Sequence, residues 1–206
     1  TLDSYLDQTQ AYDLQIQSTL GLTKADVTSL EKLSDVASVQ GIYAKDELIE
    51  PVARTTTRQE NDETAIAKVI GVPKQLNKIT LVKGQLPQKD NEIVVEEAYL
   101  KKNKVKIGDS LKMNDPDLTN ETYQIVGTVK SPLYFSKVHR GTTSLGDGRI
   151  DYFMYVKPSV FKQDMYSAIA LTVKGAKQEM TSQTAYLDRI SAAKKEVETI
   201  KNAQET

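Results

Sequence analysis

The sequence predicts an α+β protein of two lobes, an α/β lobe of a helix-covered sheet made from both ends of the chain and a β-rich lobe inserted between them. Three observations carry this prediction. Residues 12–43 pass from period-two alternation to a capped helical stretch and back to β character. Residues 79–132 hold the densest β-type patterning, cut into short segments by Gly84, Pro87, Gly108, Gly127 and Pro132. After Thr181, apolar residues recur at alternating spacings of four and three, the period of a helix. The expected lobes are 1–78 together with 158–206, and 79–157.

Composition narrows the function classes. A chain of 206 residues can bury a sizeable core. Charged residues make up 27%, yet acids and bases cancel to a net charge of -1, so no global field favours nucleic acid as a partner. Cysteine is absent, which excludes disulfides, a thiolate nucleophile and Cys-based metal sites, and is compatible with an exported domain that folds without oxidation. No apolar run approaches the roughly 20 residues that span a bilayer, so this piece is expected to be soluble. The chain opens on Thr1 with neither an initiator Met nor a basic-then-apolar leader, and is expected to be a fragment of a longer product.

In chain order, Tyr12, Leu14 and Ile16 alternate with polar residues as in a half-buried strand. Thr23, with Asp26 three residues on, makes a capping-box start for a helix that carries Val27, Leu30 and Leu33. Residues 36–43 return to β character, so this stretch reads as strand, helix, strand, with the strands parallel or separated by a third. Residues 44–63 are polar, and Thr55, Thr56 and Thr57 between Arg54 and Arg58 suit an exposed strand better than a ligand patch. Residues 65–72 are a further strand. In the middle, Ile93, Val94 and Val95 form a short apolar strand, and Val105, Ile107, Leu111 and Met113 alternate with polar residues around Gly108. Residues 96–102 place acids first and lysines last, which suits a short helix. Strands follow at 150–156, closed by Pro158, and at 167–174.

Several segments invite a chemical reading. Asp115, Asp117 and Thr119 fit the start of a calcium loop, but Asn120 stands where Gly is needed and Val126 where a bidentate Glu is required, so no metal is predicted. Residues 141–148 are Gly-rich but lack the Lys of a phosphate loop. His139 has no assignable nucleophile beside it, and Glu92, Glu96 and Glu97 form no paired motif, so no cofactor and no enzymatic activity are predicted. Tyr134, Phe135, His139, Arg140 and Arg149 have the composition of a partner-contact surface. Tyr186, Ile190, Ala193, Val197 and Ile200 form a heptad seam that either docks a helix on the sheet or continues into a stalk.

The order of G-Q-L-P at 84–87, N-E-I-V-V at 91–95, K-I-G-D-S-L at 106–111 and Y-Q-I-V-G-T-V-K-S-P at 123–132 resembles the extracytoplasmic core domain of MacB-like, FtsX-type ABC transporter permeases. The resemblance extends to Y-D-L-Q-I-Q-S-T-L-G-L-T at 12–23 and R-G-T-T-S-L-G-D-G-R-I-D-Y-F-M-Y-V at 140–156, blocks that look closest to the large permeases of Gram-positive bacteria. It implies that the terminal lobe is porter-like, and that the domain lies on the extracellular face of the cell membrane, with membrane helices before and after it in the parent chain. It also implies a separate cytoplasmic ABC ATPase subunit, and motion passed outward to act on export or on partners outside the membrane. A second permease copy, a peptide, a lipoprotein or a cell-wall protein would be the partners. The competing reading is a cell-surface binding or adhesion module with a single tether.

Overall fold

The computed structural model describes residues 14–52, 64–74, 79–130, 143–175 and 183–204. In chain order its elements are β1 (Leu14–Leu22), α1 (Lys24–Glu31), β2 (Val36–Ile42), β3 (Ala44–Pro51), β4 (Ala65–Gly71), β5 (Thr80–Gly84), β6 (Glu92–Val95), α2 (Glu97–Asn103), β7 (Ser110–Lys112), β8 (Thr122–Lys130), β9 (Tyr152–Val156), a 3-10 turn (Pro158–Val160), β10 (Tyr166–Val173) and α3 (Gln183–Gln204). The chain divides into two compact units. One comprises Thr1–Ile42, Pro73–Asn77 and Met165–Thr206; the other comprises Tyr43–Val72 and Lys78–Asp164.

The terminal unit is a three-stranded sheet in the order β1-β10-β2. Both outer strands run antiparallel to β10, so β1 and β2 are parallel to each other with β10 between them. The strand-helix-strand stretch therefore has strands that are both parallel and separated by a third. Helix α1 begins where the sequence supplies its cap: the Thr23 hydroxyl accepts from the Asp26 amide, and the Asp26 carboxylate accepts from the Thr23 amide at 2.7 Å. Ile169, Leu171 and Val173 lie two apart on β10 and point to one face, where Leu30 of α1 and Ala193 and Val197 of α3 cover them.

The middle unit is a mixed sheet of seven strands in the order β5-β8-β6-β9-β4-β3-β7, and β7 pairs again with β8. Six strands therefore close into a barrel: β8, β6, β9, β4, β3, β7 and back to β8. Strand β8 makes closure possible because both its edges are occupied. One edge bonds β6 along 124–128; the other bonds β7 along 122–124 and β5 along 127–130. The interior follows the period of two: Ile49 of β3, Ala65, Ala67 and Val69 of β4, Ile93 and Val95 of β6, Leu111 of β7, Tyr123 and Ile125 of β8, and Tyr152, Met154 and Val156 of β9 form one buried cluster. Helix α2 puts Tyr99 into the end of this cluster, edge-to-face on Tyr152 at 5.3 Å. At the other end, Leu118 and Val160 fill the barrel from the loop after β7 and from the 3-10 turn.

Two outcomes differ from the sequence expectation. Strands β3 and β4 belong to the middle sheet, whereas the sequence places all of residues 1–78 in the terminal lobe, and the middle unit extends to Asp164 rather than ending at 157. The polar stretch 44–52 hid a strand because its inward side chains include Lys45 and Glu47, so it lacks apolar alternation. In the second, Val105 and Ile107 precede β7 instead of extending it, because Gly108 turns the chain with φ of 101°.

Of the four motif pieces, the last is β8 itself and the other three fasten onto it. Gly84 faces Gly127 across the β5–β8 pair, and the Gln85 amide donates to the Val126 carbonyl at 3.0 Å. The Gln124 amide donates to the Asn91 carbonyl at 2.8 Å, and Gly108 and Asp109 exchange amide-carbonyl bonds of 2.8 Å with Ile125. A Cβ on Gly84 would collide with the Val126 carbonyl, and φ there is 75°; a Cβ on Gly108 meets nothing. Gly108→Ala is therefore predicted to cost about 1–2 kcal/mol from backbone conformation alone. Gly84→Ala should cost roughly 1–3 kcal/mol more, because the strands must also move apart. Urea denaturation of the two variants beside the parent checks this; equal costs would mean that the close approach at Gly127 is not a constraint.

Candidate functional site

The structure places only part of each sequence-predicted set. Tyr134, Phe135, His139 and Arg140 lie outside the described residues, as do Thr55, Thr56 and Thr57. Arg149 is described, and its guanidinium bonds the Asp147 carboxylate at 3.1 Å on an exposed turn. The Arg149 amide and then its guanidinium hold Asp147 below the usual carboxylate range. A partner that engaged Arg149 would compete with Asp147.

Of the heptad seam, Ala193 and Val197 are buried in the core of the terminal unit and Ile200 is half-buried, while the side chains of Tyr186 and Ile190 lie outside the description. Glu196, on the same helix, accepts the Ser34 hydroxyl at 2.8 Å and ties α3 to the turn between α1 and β2. At Ala193 and Val197 the stripe is therefore occupied by its own sheet. The dispersed carboxylates are likewise structural. Glu92 accepts the amides of Gln88 and Lys89 at 2.9 and 2.8 Å, Glu96 accepts the Phe153 amide at 2.6 Å, and Glu97 pairs with Lys83 at 3.5 Å.

The densest polar cluster was not legible as a site. At the barrel end filled by Leu118, Lys45 of β3 sets its ammonium 2.6 Å from Asp115 and 3.0 Å from Asp117. The acidic loop that resembles the start of a calcium site thus holds a lysine ammonium as its cation. Among the described residues, no three His, Asp or Glu side chains converge as metal ligands. Asp115 also accepts the Asp117 amide at 2.8 Å, which curls the loop around its carboxylate.

Glu47 completes the cluster. Its side chain points into the barrel in phase with Ile49, is only 5% exposed, and hydrogen-bonds Asp115, while no N–H or O–H of the described residues donates to its buried Oε1. Two carboxyl groups in one hydrogen bond require a proton between them. Burial, and then the bond to Asp115, push Glu47 up to about 8. Burial alone would raise Asp115 as well, but bonds from Glu47, Lys45 and the Asp117 amide outweigh it and hold Asp115 at about 2. For Lys45 partial burial works downward, and the two aspartates prevail and raise it. At neutral pH the proton sits on Glu47 and the charges on Lys45 and Asp115. The signal in the sequence was an acid in the inward phase of a strand, visible only once the strand is known.

No protein-family model and no curated protein matches the chain. Solved structures similar to it include the extracellular domain of the noncanonic ABC-type transporter YknZ from Gram-positive bacteria, at 14% identity over 80% of this chain and 79% of that one, with a TM-score of 0.47. The periplasmic region of MacB from Actinobacillus actinomycetemcomitans is similar at 15% identity over 93% and 85%, with a TM-score of 0.44. A domain of a putative permease protein from Porphyromonas gingivalis is similar at 11% identity over 85% and 71%, with a TM-score of 0.42. Among the described residues no helix is long and apolar enough to cross a membrane.

The cluster makes stability pH-dependent from both sides. Glu47 is raised on folding from 4.5, so its contribution is complete below about 4.5 and is lost as pH rises through about 8. Asp115 is lowered from 3.8, so its contribution is present above that value and is lost as pH falls toward about 2. The thermal midpoint is expected to fall between pH 5 and pH 8 in the parent. In Glu47→Gln, where nothing titrates at this position, that alkaline slope should flatten. An unchanged slope in the variant would place the titrating group elsewhere.

Proposed function

We propose that this chain is the extracellular domain of an ABC transporter permease, held in the cell membrane by flanking helices of the same polypeptide and working with a cytoplasmic ABC ATPase subunit. What carries the reading is the order of the four motif pieces that resemble this permease family, one of which is β8 and three of which fasten onto it. Residues in this order and spacing are what one particular barrel requires, so their joint presence weighs more than any single Gly-Asp turn or I-V-G strand.

In this reading the domain does no bond-making. It passes nucleotide-driven displacement of the membrane part to export or to partners outside. That role calls for stiff material where the domain is joined to the membrane part. Helix α3 supplies it: at 22 residues it spans roughly 33 Å, and Ala193 and Val197 lock it to the sheet. A docked helix transmits displacement, whereas a flexible linker absorbs it.

The parent protein, extracted from membranes in mild detergent, is expected to co-purify with an ATP-hydrolysing subunit. Recovery without one, on a chain with a single membrane anchor, would favour the single-tether binding module. Inserting Gly-Gly between Asn202 and Ala203, exposed positions beyond the docked stretch, should leave the isolated domain folded and abolish the activity of the intact transporter. Retained activity with the insertion in place would remove α3 from the path of coupling.

A further inference from the structure

We propose that residues 113–121 form a proton-operated latch over one end of the barrel, shut while Glu47 donates its proton to Asp115 and released when that proton leaves. The loop has few fastenings. Met113 and Leu118 are buried, and among the described residues two amide-carbonyl bonds tie the loop to other elements, Thr119 to Val160 at 2.9 Å and Lys162 to Asp117 at 3.0 Å, while Met113 to Glu121 at 2.9 Å and Leu118 to Asp115 at 3.1 Å close it on itself. Its tether to β3 consists of the ion pairs of Lys45 with Asp115 and Asp117 and the bond that Glu47 donates to Asp115.

Of the charges that act on Glu47, Asp115 and Asp46 oppose its ionisation and Lys45 favours it. Lys45, on the same strand, already holds two aspartates, and Lys162 donates to the Pro116 carbonyl at 3.1 Å. Asp46 beside it is paired with Lys68 of β4 at 2.9 Å, Asp115 and Asp117 line the loop, and the Tyr123 hydroxyl on β8 donates to the Asn120 carbonyl at 2.7 Å. Among the described residues no donor faces Glu47 Oε1. Once the proton leaves, two carboxylates stand within hydrogen-bond reach in a buried site, an arrangement that must relax. Strand β3 cannot yield cheaply, because residues 44–49 pair with β4 in unbroken register. The loop can. If Lys45 swings to Glu47 instead, it abandons the aspartates, and the loop loses its tether by that route too.

The chain contains no cysteine, so Leu118→Cys installs a single thiol on a side chain that is 3% exposed when the latch is shut. Its alkylation rate by iodoacetamide, divided at each pH by the rate for the same chain in denaturant, removes the thiol's own titration. The ratio is expected to rise by up to about tenfold per pH unit between about pH 5 and pH 8, where opening releases one proton, and to level off above about pH 8, where Glu47 is ionised in both states. In the double variant, Leu118→Cys with Glu47→Gln, the ratio should stay flat. A flat ratio with Glu47 present, or an equal rise in the double variant, overturns the latch. Should the cysteine variant not fold, amide exchange at Thr119 in the unaltered chain, referred to free-peptide rates, reads the same opening. Loss of protection at Val69 at the same pH would mean that the whole barrel unfolds, and would equally overturn it.

Discussion

Strand β8 has two edges, and the middle unit exists only because both are taken. A sheet that ended at β8 would expose a row of unpaired amides and carbonyls; here β6 covers one edge while β7 and β5 divide the other between them. Dividing an edge needs two strands that end near each other without colliding. The chain achieves this by keeping β7 to three residues and by crossing β5 over β8 where two glycines, Gly84 and Gly127, leave no Cβ in the gap. Closure then turns a period of two into an inside and an outside, and the inside fills with branched and aromatic side chains.

The two ends of the barrel are closed by different chemistry. At one, Tyr99 of α2 supplies an aromatic plug. At the other, the inward face of β3 runs from Ile49 through Glu47 to Lys45, so the core grades into charge before it reaches solvent. A buried acid there is tolerable because it stays protonated, and it stays protonated because Asp115 is held ionised by Lys45. Leaving the cation out would expose three carboxyl groups to one another.

The terminal unit solves a smaller problem. Three strands cannot bury a core by themselves, so two helices cover one face, and α3 contributes the buried Ala193 and Val197 to the shared core. A rigid barrel and a helix locked to its own sheet are parts suited to carrying displacement, which is what the proposed permease role asks of them.

Local rules made much of this readable from the sequence. The Thr23–Asp26 capping box, the acid-to-lysine order over α2, the β-branched run of β6 and the helical spacing after Thr181 each depend on residues within a few positions of one another, and each element formed where those rules put it. Alternation marked Leu111 and Met113 as inward-facing, whereas β6 read as an unbroken apolar run that does not say which side chains face the barrel interior. What it left undecided was long-range. Strand β3 pairs with β4 and β7, and its inward Lys45 and Glu47 look like solvent-facing charges until residues 115–117, some seventy positions away, are brought against them. Whether β1 and β2 adjoin depends on β10, more than a hundred residues further on. Sequence alone determined which segments are strands or helices wherever neighbours decide it; tertiary structure alone decided which strands meet and which charges are inside, because those choices rest on closing a sheet from distant pieces and on the burial that closure creates.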